Sequence, residues 1–324
     1  MIYPANFEEK IGFDRIREQV TALCSTPSAK AKLAEEGFST SADEIERRLS
    51  LMNEMRSLLM LERDFPDGDY PDPAPLVAKI RVEGSYLLAA EADQLRKALV
   101  TVGAIAEFIL GRGGARYPRL WELSRRVTLF PEIVRAIDAI LDDRGEVKDS
   151  ASPELQQVRR AIREREGQAA KRLQQVLQRA KQAGIVDADA VLSVRDGRPV
   201  IPVAAANKRK LQGFIHDESA TGRTFYVEPV EVVEINNELK ELEYAERREV
   251  VKVLSTFTES IRPDAEAIAD AGDYLSSVDM IRAKARWALA NDAGKPILST
   301  DDRLELRTAR HPLLQQTLRA QGRE

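Results

Sequence analysis

The residues that build reactive centres are scarce in this sequence. It holds one cysteine, Cys24, and two histidines among 324 residues. One cysteine excludes an internal disulfide and points to a reducing compartment. Two histidines and one cysteine leave too few ligands for a zinc cluster, and Cys24 is expected as a small buried side chain on a helix. No apolar run is long enough to span a bilayer and no signal peptide opens the chain, so the expectation is a cytoplasmic protein without a membrane partner. Excess charge is lacking too. The 49 Lys and Arg nearly cancel the 53 Asp and Glu, leaving −4, so any attraction for a polyanion must come from local patches. Gly294-Lys295 is not a phosphate loop, because Leu289 stands where its first glycine belongs and Pro296 follows the lysine. His216-Asp217 beside Ser219 has the residue types of a triad, but neighbours in sequence do not make one and no nucleophile elbow accompanies them. Asp67, Asp69 and Asp72 lack the regular spacing of a cation loop and read as a solvated segment. No catalytic, cofactor-binding or metal-binding residue is therefore assigned.

What the chain has is helix. Its 43% hydrophobic and 31% charged residues fit a soluble, helix-rich protein with a core. Asn6 is placed to cap a helix through about Leu23, Pro27 to start a second, and Thr40 or Ser41 to start a third running to about Leu61. Residues 64–75 form a proline-rich loop. Helices are expected over Leu87–Leu110, 119–127, 131–141, Ala265–Leu275 and Val278–Ala290, and a short strand at Leu304–Leu306. Ser152-Pro153-Glu154 has a helix-start pattern of capping serine, proline in the first position and an acid in the first turn. From there a helix should run to about Ala183 on Leu155, Val158, Ile162, Ala169, Leu173, Val176 and Ala180, roughly 45 Å long at ~1.5 Å per residue. A second long helix should start near Glu231 on Val232, Ile235, Leu239, Leu242, Val253 and Phe257.

These two helices are expected to lie antiparallel, as the narrow stripes of a two-stranded seam require. Residues 153–183 carry eight bases and three acids, and residues 231–260 four bases and eight acids, so plus five faces minus four. Glu166 and Glu246 suggest a polar layer met by Arg165, Arg247 or Arg248. Most arginines of the first helix should pair with the acidic partner or stay solvated.

Between the helices lies the one stretch that does not read as helix. Val191–Val194, Pro199–Ala204, Leu211–His216 and Thr224–Val227 are short apolar runs separated by polar turns, the pattern of a small antiparallel sheet. Pro199 and Pro202 mark the second run as an edge, because proline cannot donate to a ladder. Arg195, Arg198, Lys208, Arg209, Lys210 and Arg223 stand against Asp196, Asp217, Glu218 and Glu228, a local plus two placed mostly in turns. Such side chains neutralise phosphates and bind nucleic acid without reading its sequence. These six are the candidate nucleic-acid-binding residues. Ser219, Thr221 and Gly222 suit a turn, and Asn236-Asn237 are expected to bond to sheet backbone.

The order of parts meets a known family. The run Gly145-Glu146-Val147-Lys148-Asp149-Ser150-Ala151-Ser152-Pro153-Glu154-Leu155 resembles the entry to the lever helix of bacterial MutS-like proteins of the second type, the anti-recombination relatives that lack the mismatch-reading domain. Arg195-Asp196-Gly197-Arg198, His216-Asp217-Glu218-Ser219-Ala220-Thr221-Gly222, Glu228-Pro229 and Asn236-Asn237-Glu238-Leu239 are similar to that family's clamp and return lever. Ala309-Arg310-His311-Pro312-Leu313-Leu314 is similar to the entry of its ATPase domain. The resemblance implies a mostly α fold: a helical core bundle with a long antiparallel two-helix arm, the lever, tipped by a small antiparallel β clamp. The expected division is 1–152 first part of the core, 153–187 outgoing lever, 188–230 clamp, 231–262 return lever, 263–300 second part of the core and 301–324 the truncated start of the ATPase domain. It also implies a homodimeric DNA-binding ATPase and endonuclease that uses ATP and Mg, suppresses recombination through branched or double-stranded DNA, and is linked to splitting stalled ribosomes, a reading in which the tip meets rRNA or a ribosomal protein. The present stretch would be a fragment, a monomer or weak dimer without cofactor, ATPase or nuclease of its own, binding weakly for want of a second arm. Ribosome engagement, an independent enzyme and a purely structural coiled-coil dimer are the other readings.

Overall fold

The computed structural model describes residues 4, 6–195, 197–299 and 303–322. In chain order the elements are α1 (Phe7–Ile11), α2 (Phe13–Leu23), α3 (Pro27–Glu35), α4 (Ala42–Leu61), α5 (Ala74–Ile80), α6 (Ala89–Gly111), α7 (Pro118–Ser124), α8 (Pro131–Ile140), α9 (Pro153–Gln182), β1 (Ser193–Arg195), β2 (Arg198–Ala204), β3 (Gly213–Glu218), β4 (Thr224–Pro229), α10 (Val230–Ile261), α11 (Ala265–Ala290) and α12 (Pro312–Ala320). The fold is mostly α with one small antiparallel sheet. It divides into two compact units, residues 1–138 with 257–324, and residues 139–256.

The first unit is organised on α11, which is buried on several sides. Tyr274, Leu275, Val278 and Ile281 pack with Leu51, Met55 and Leu58 of α4 and Val102, Ile105 and Ile109 of α6. Ala283 of the same helix packs instead with Val20, Ala29 and Leu33 of α2 and α3. Each aliphatic side chain fully buried in this way contributes about 1.5–3 kcal/mol relative to exposure. The expected break within α11 does not occur. Ser276 and Ser277 both donate to the carbonyl of Asp273, at 2.9 and 2.8 Å, so their hydroxyls are satisfied inside a continuing helix. The expected first helix is instead two, because Gly12 adopts φ 72° between them, and Asn6 makes no side-chain cap. Ser41 does cap α4, accepting from Glu44 N at 3.4 Å. Helix α5 lies at the end of the expected proline-rich loop and buries Leu76, Val77 and Ile80. The loop acids are not simply solvated. Asp67 meets Arg282 and Arg286 at 3.2 and 2.7 Å, and Asp72 accepts from Ser28 N at 2.9 Å. The buried guanidinium of Arg282 also pairs with buried Asp279 at 2.9 Å. Cys24 is buried just beyond α2 rather than within it, its thiol pushed up to about 11 by burial and the nearby Asp279 carboxylate. Leu304–Leu306 is not a strand; these residues are exposed and have no ladder partner among the described residues.

In the second unit the turn at 142–145 closes a bridge between Leu141 and Val147. Helix α9 begins as its sequence dictates: Ser152 Oγ accepts from Leu155 N at 3.0 Å, with Pro153 in the first position. Its partner α10 runs antiparallel to it. Arg159 meets Glu246 at 2.7 Å, Arg165 meets Glu238 at 2.8 Å and Arg179 meets Glu231 at 3.5 Å, so the pairs climb one helix as they descend the other. Cross-helix carboxylates do meet arginines, but through Arg159, Arg165 and Arg179; Glu166 has no ion pair among the described residues. Leu173, Val176, Leu177 and Ala180 of α9 and Val232 of α10 then pack against Ile201, Val203 and Val227 of the sheet.

Candidate nucleic-acid interface

The sheet has the order β1-β2-β4-β3, all antiparallel. β2 is therefore not an edge, contrary to the reading of its prolines. The register explains how they are tolerated. Arg198–Val200 pair only with β1 and Ile201–Ala204 only with β4, so each half of β2 leaves one side open. Pro199 and Pro202 each lie in such a half, where a missing donor costs little. Gly197 has φ 73°, as the tight connection from β1 to β2 demands; Asp196 lies outside the described residues. Ile201 opposite Val227 and Val203 opposite Phe225 form the face packed on the helices.

The other face is organised by Glu228, whose side chain is 1% exposed. Arg198 Nη1 donates to both its oxygens at 2.9 Å, Asn236 Nδ2 donates to Oε1 at 2.6 Å, and His216 Nε2 lies 2.5 Å from Oε2. Burial by itself would raise this carboxyl; the hydrogen bonds from Asn236, His216 and Arg198, with the Arg198 charge, outweigh it and hold the group below its ordinary value. Asn237 Oδ1 accepts from Arg198 at 3.1 Å. Asn236 and Asn237 thus serve side chains of the sheet rather than its backbone. His216 reaches this place through a bulge: Ile215 pairs with Val227 and Asp217 with Tyr226, leaving His216 as the extra residue. Its partner is a buried carboxylate. Ser219 Oγ instead accepts from Thr224 N at 3.1 Å in the turn, so no triad is assembled.

The six expected binding residues separate into two groups. Arg195 pairs with Asp217 at 2.9 Å and lies 3.8 Å from the Tyr226 ring centroid. Arg198 is committed to Glu228. Both are half-buried and spend their charge inside the unit. Lys208, Arg209, Lys210 and Arg223 are exposed, and none has a carboxylate partner among the described residues. Lys208 Nζ sits 4.4 Å from the Phe225 ring centroid. Asn207 Nδ2 donates to Ile185 O at 3.0 Å, pinning the segment that carries the three consecutive bases to the end of α9. Ala205 N donates to Arg223 O at 2.9 Å, which brings Arg223 beside the start of the same segment. The free cations are thus held on ordered backbone. Sequence reasoning missed Glu228 and Tyr226 as organisers; the only local signal was an acid directly before Pro229 in an apolar strand. Among the described residues no cluster of three or more His, Cys, Asp or Glu could hold a metal ion, and no helix is long and apolar enough to cross a membrane.

No protein-family model matches the chain. It is similar to proteins named Endonuclease MutS2: 31% identical over 306 residues to that of Bacillus velezensis, 94% of this chain and 39% of the relative. It is 32% identical over 315 residues to that of Thermomicrobium roseum, 93% of this chain and 39% of the relative. It is also 32% identical over 314 residues to that of Leuconostoc citreum, 96% of this chain and 39% of the relative. The chain spans about two fifths of the length of these curated relatives. Over nearly its whole length it is a relative of the bacterial MutS-like proteins of the second type.

Proposed function

We propose that this relative of the MutS2 endonucleases is the core, lever and clamp region of a cytoplasmic, dimeric DNA-binding ATPase and endonuclease that suppresses recombination, and that its β clamp grips the phosphate backbone of branched or double-stranded DNA without reading sequence. One observation carries the reading: Lys208, Arg209, Lys210 and Arg223 stay exposed without carboxylate partners among the described residues, while the other two bases of the sheet are neutralised. Cations fixed on a pinned loop lose little freedom when phosphates arrive, and the counterions they displace supply the affinity. The reading assigns nucleic-acid binding to this span; the relatives it resembles are named endonucleases.

Replacing Lys208, Arg209 and Lys210 together by alanine tests this. Affinity for duplexes of unrelated sequence should fall to a similar degree for all. The slope of log affinity against log salt should flatten by about 0.9 per lost contact, or ~2.7 in total. An unchanged slope would rule out this loop as the phosphate contact.

A further inference from the structure

The outer face of α9 is charged unevenly. Near its start, Arg159 meets Glu246 and Asp149, Arg163 meets Asp149, Arg160 meets Glu164 and Arg165 meets Glu238. Bases that face carboxylates are an ordinary solvated seam. From Gly167 to Val186 the sequence holds no acid at all, but has Lys171, Arg172, Arg179 and Lys181 and five glutamines. Lys171 and Arg172 are exposed and have no partner among the described residues, and Arg179 has Glu231 at 3.5 Å and the Gln175 carbonyl of its own helix at 3.4 Å. Lys171, Gln174, Gln175, Gln178, Arg179 and Gln182 line one shallow groove. Their spacing of three and four places them in a single stripe along the helix. The stripe ends at the place where Asn207 pins the Lys208–Lys210 loop, through the carbonyl of Ile185.

We infer that the Lys171–Gln182 face of α9 and the Lys208–Lys210 loop form one continuous track for the phosphate backbone of a nucleic-acid duplex, resting on the binding function proposed above. The chemistry fits. Lysine and arginine neutralise phosphates, and glutamine amides donate to their oxygens without choosing a base. The length fits as well: the twelve residues of this face span eleven rises of ~1.5 Å, roughly 17 Å, or about five phosphate steps at ~3.4 Å along one strand. Charge also selects the side. Glu234, Glu238 and Glu241 of α10 line a separate hollow with Phe214, which repels a polyanion.

The test compares three variants of the full chain, bound to a DNA duplex and an RNA duplex of the same sequence across a salt series: the loop triple alanine, Lys171→Ala with Arg172→Ala, and Gln174→Glu with Gln178→Glu. The glutamate pair is exposed and keeps helix propensity, so it changes charge without unfolding α9. The track predicts that the lysine–arginine pair flattens the salt slope by about 1.8, and that the glutamate pair weakens binding on the order of tenfold at low salt. Loss with the loop variant but none with either α9 pair overturns the track and leaves the clamp reading standing. Loss with the α9 pairs alone overturns the continuity claimed here. No loss with any variant overturns both. A loss confined to one of the two duplexes supports the track and identifies the nucleic acid that it takes.

Discussion

Glu228 shows how one carboxylate decides the conformation of its surroundings. It receives donors from Arg198, Asn236 and His216 while 1% exposed. Replacing it with glutamine keeps the shape but removes the charge that Arg198 needs, and should cost about 2–3 kcal/mol at pH 7. The pH dependence follows from the depressed folded-state carboxyl. A group held below its unfolded value of about 4.3 contributes its full stability above that pH and loses it as pH falls through the folded value. Amide exchange of β4 should therefore separate Glu228→Gln from the parent at pH 7, and the difference should shrink on acidification below pH ~4. A gap that persists unchanged at low pH would mean that the carboxylate charge is not what matters. Gly213 is a second such position. A Cβ there would lie 2.2 Å from the carbonyl oxygen of Glu228 and 2.7 Å from Val227 Cγ1. The obstruction is partly backbone and cannot swing away, so Gly213→Ala should cost about 3 kcal/mol and strip protection from the amides of β3 before those of β2.

Helices α9 and α10 are joined by ion pairs of unequal worth. Arg159 and Glu246 are 23% and 30% exposed, whereas Arg165 and Glu238 are 42% and 41% exposed. Solvent screens the second pair more, and Arg159 also donates to the Val147 carbonyl at 2.7 Å and to Asp149 at 2.8 Å. Double-mutant cycles to alanine should give a coupling of about 1 kcal/mol for the first pair and less than half of that for the second; equal couplings would contradict this ordering. The start of α9 was legible in Ser152-Pro153-Glu154, because capping depends on residues within one turn. The four strands were legible for the same reason: Asp-Gly and short apolar runs are local signals. Antiparallel pairing of the long helices was legible from opposite net charges, yet its particular partners were not, since Glu166 and Glu246 have similar spacing from the sheet and only the observed helix phase selects Arg159. The place of β2 in the sheet was misread because proline forbids a ladder bond on one side only. The Glu228 cluster left only the acid before Pro229 as a signal: His216 joins it through a bulge and Asn236 through a different element, and neither arrangement leaves a local mark.

Charge is distributed by unit rather than evenly. Twenty of the 49 bases and twenty of the 53 acids fall in residues 139–256, so that unit is neutral and the whole −4 lies in the other. A neutral unit exerts no long-range pull on a polyanion, and attraction must work at the range of single side chains. Screening sets that range: the Debye length is about 30 Å at 0.01 M salt and ~10 Å at 0.1 M. Glu234 and Glu241 are exposed on α10 without an ion-pair partner among the described residues, whereas Glu238 is held by Arg165. They oppose the proposed phosphate track through the field rather than by contact. Glu234→Gln with Glu241→Gln should therefore tighten duplex binding two- to threefold at 0.01–0.05 M salt by removing about 0.4–0.7 kcal/mol of repulsion. The advantage should fade toward unity by about 0.5 M, where a field between exposed groups is screened. Titrations of parent and double variant with one duplex across that salt range measure the ratio directly. A ratio that holds constant with salt would make these glutamates part of the contact surface, and a ratio far above three at low salt would put the duplex on the α10 side of the unit.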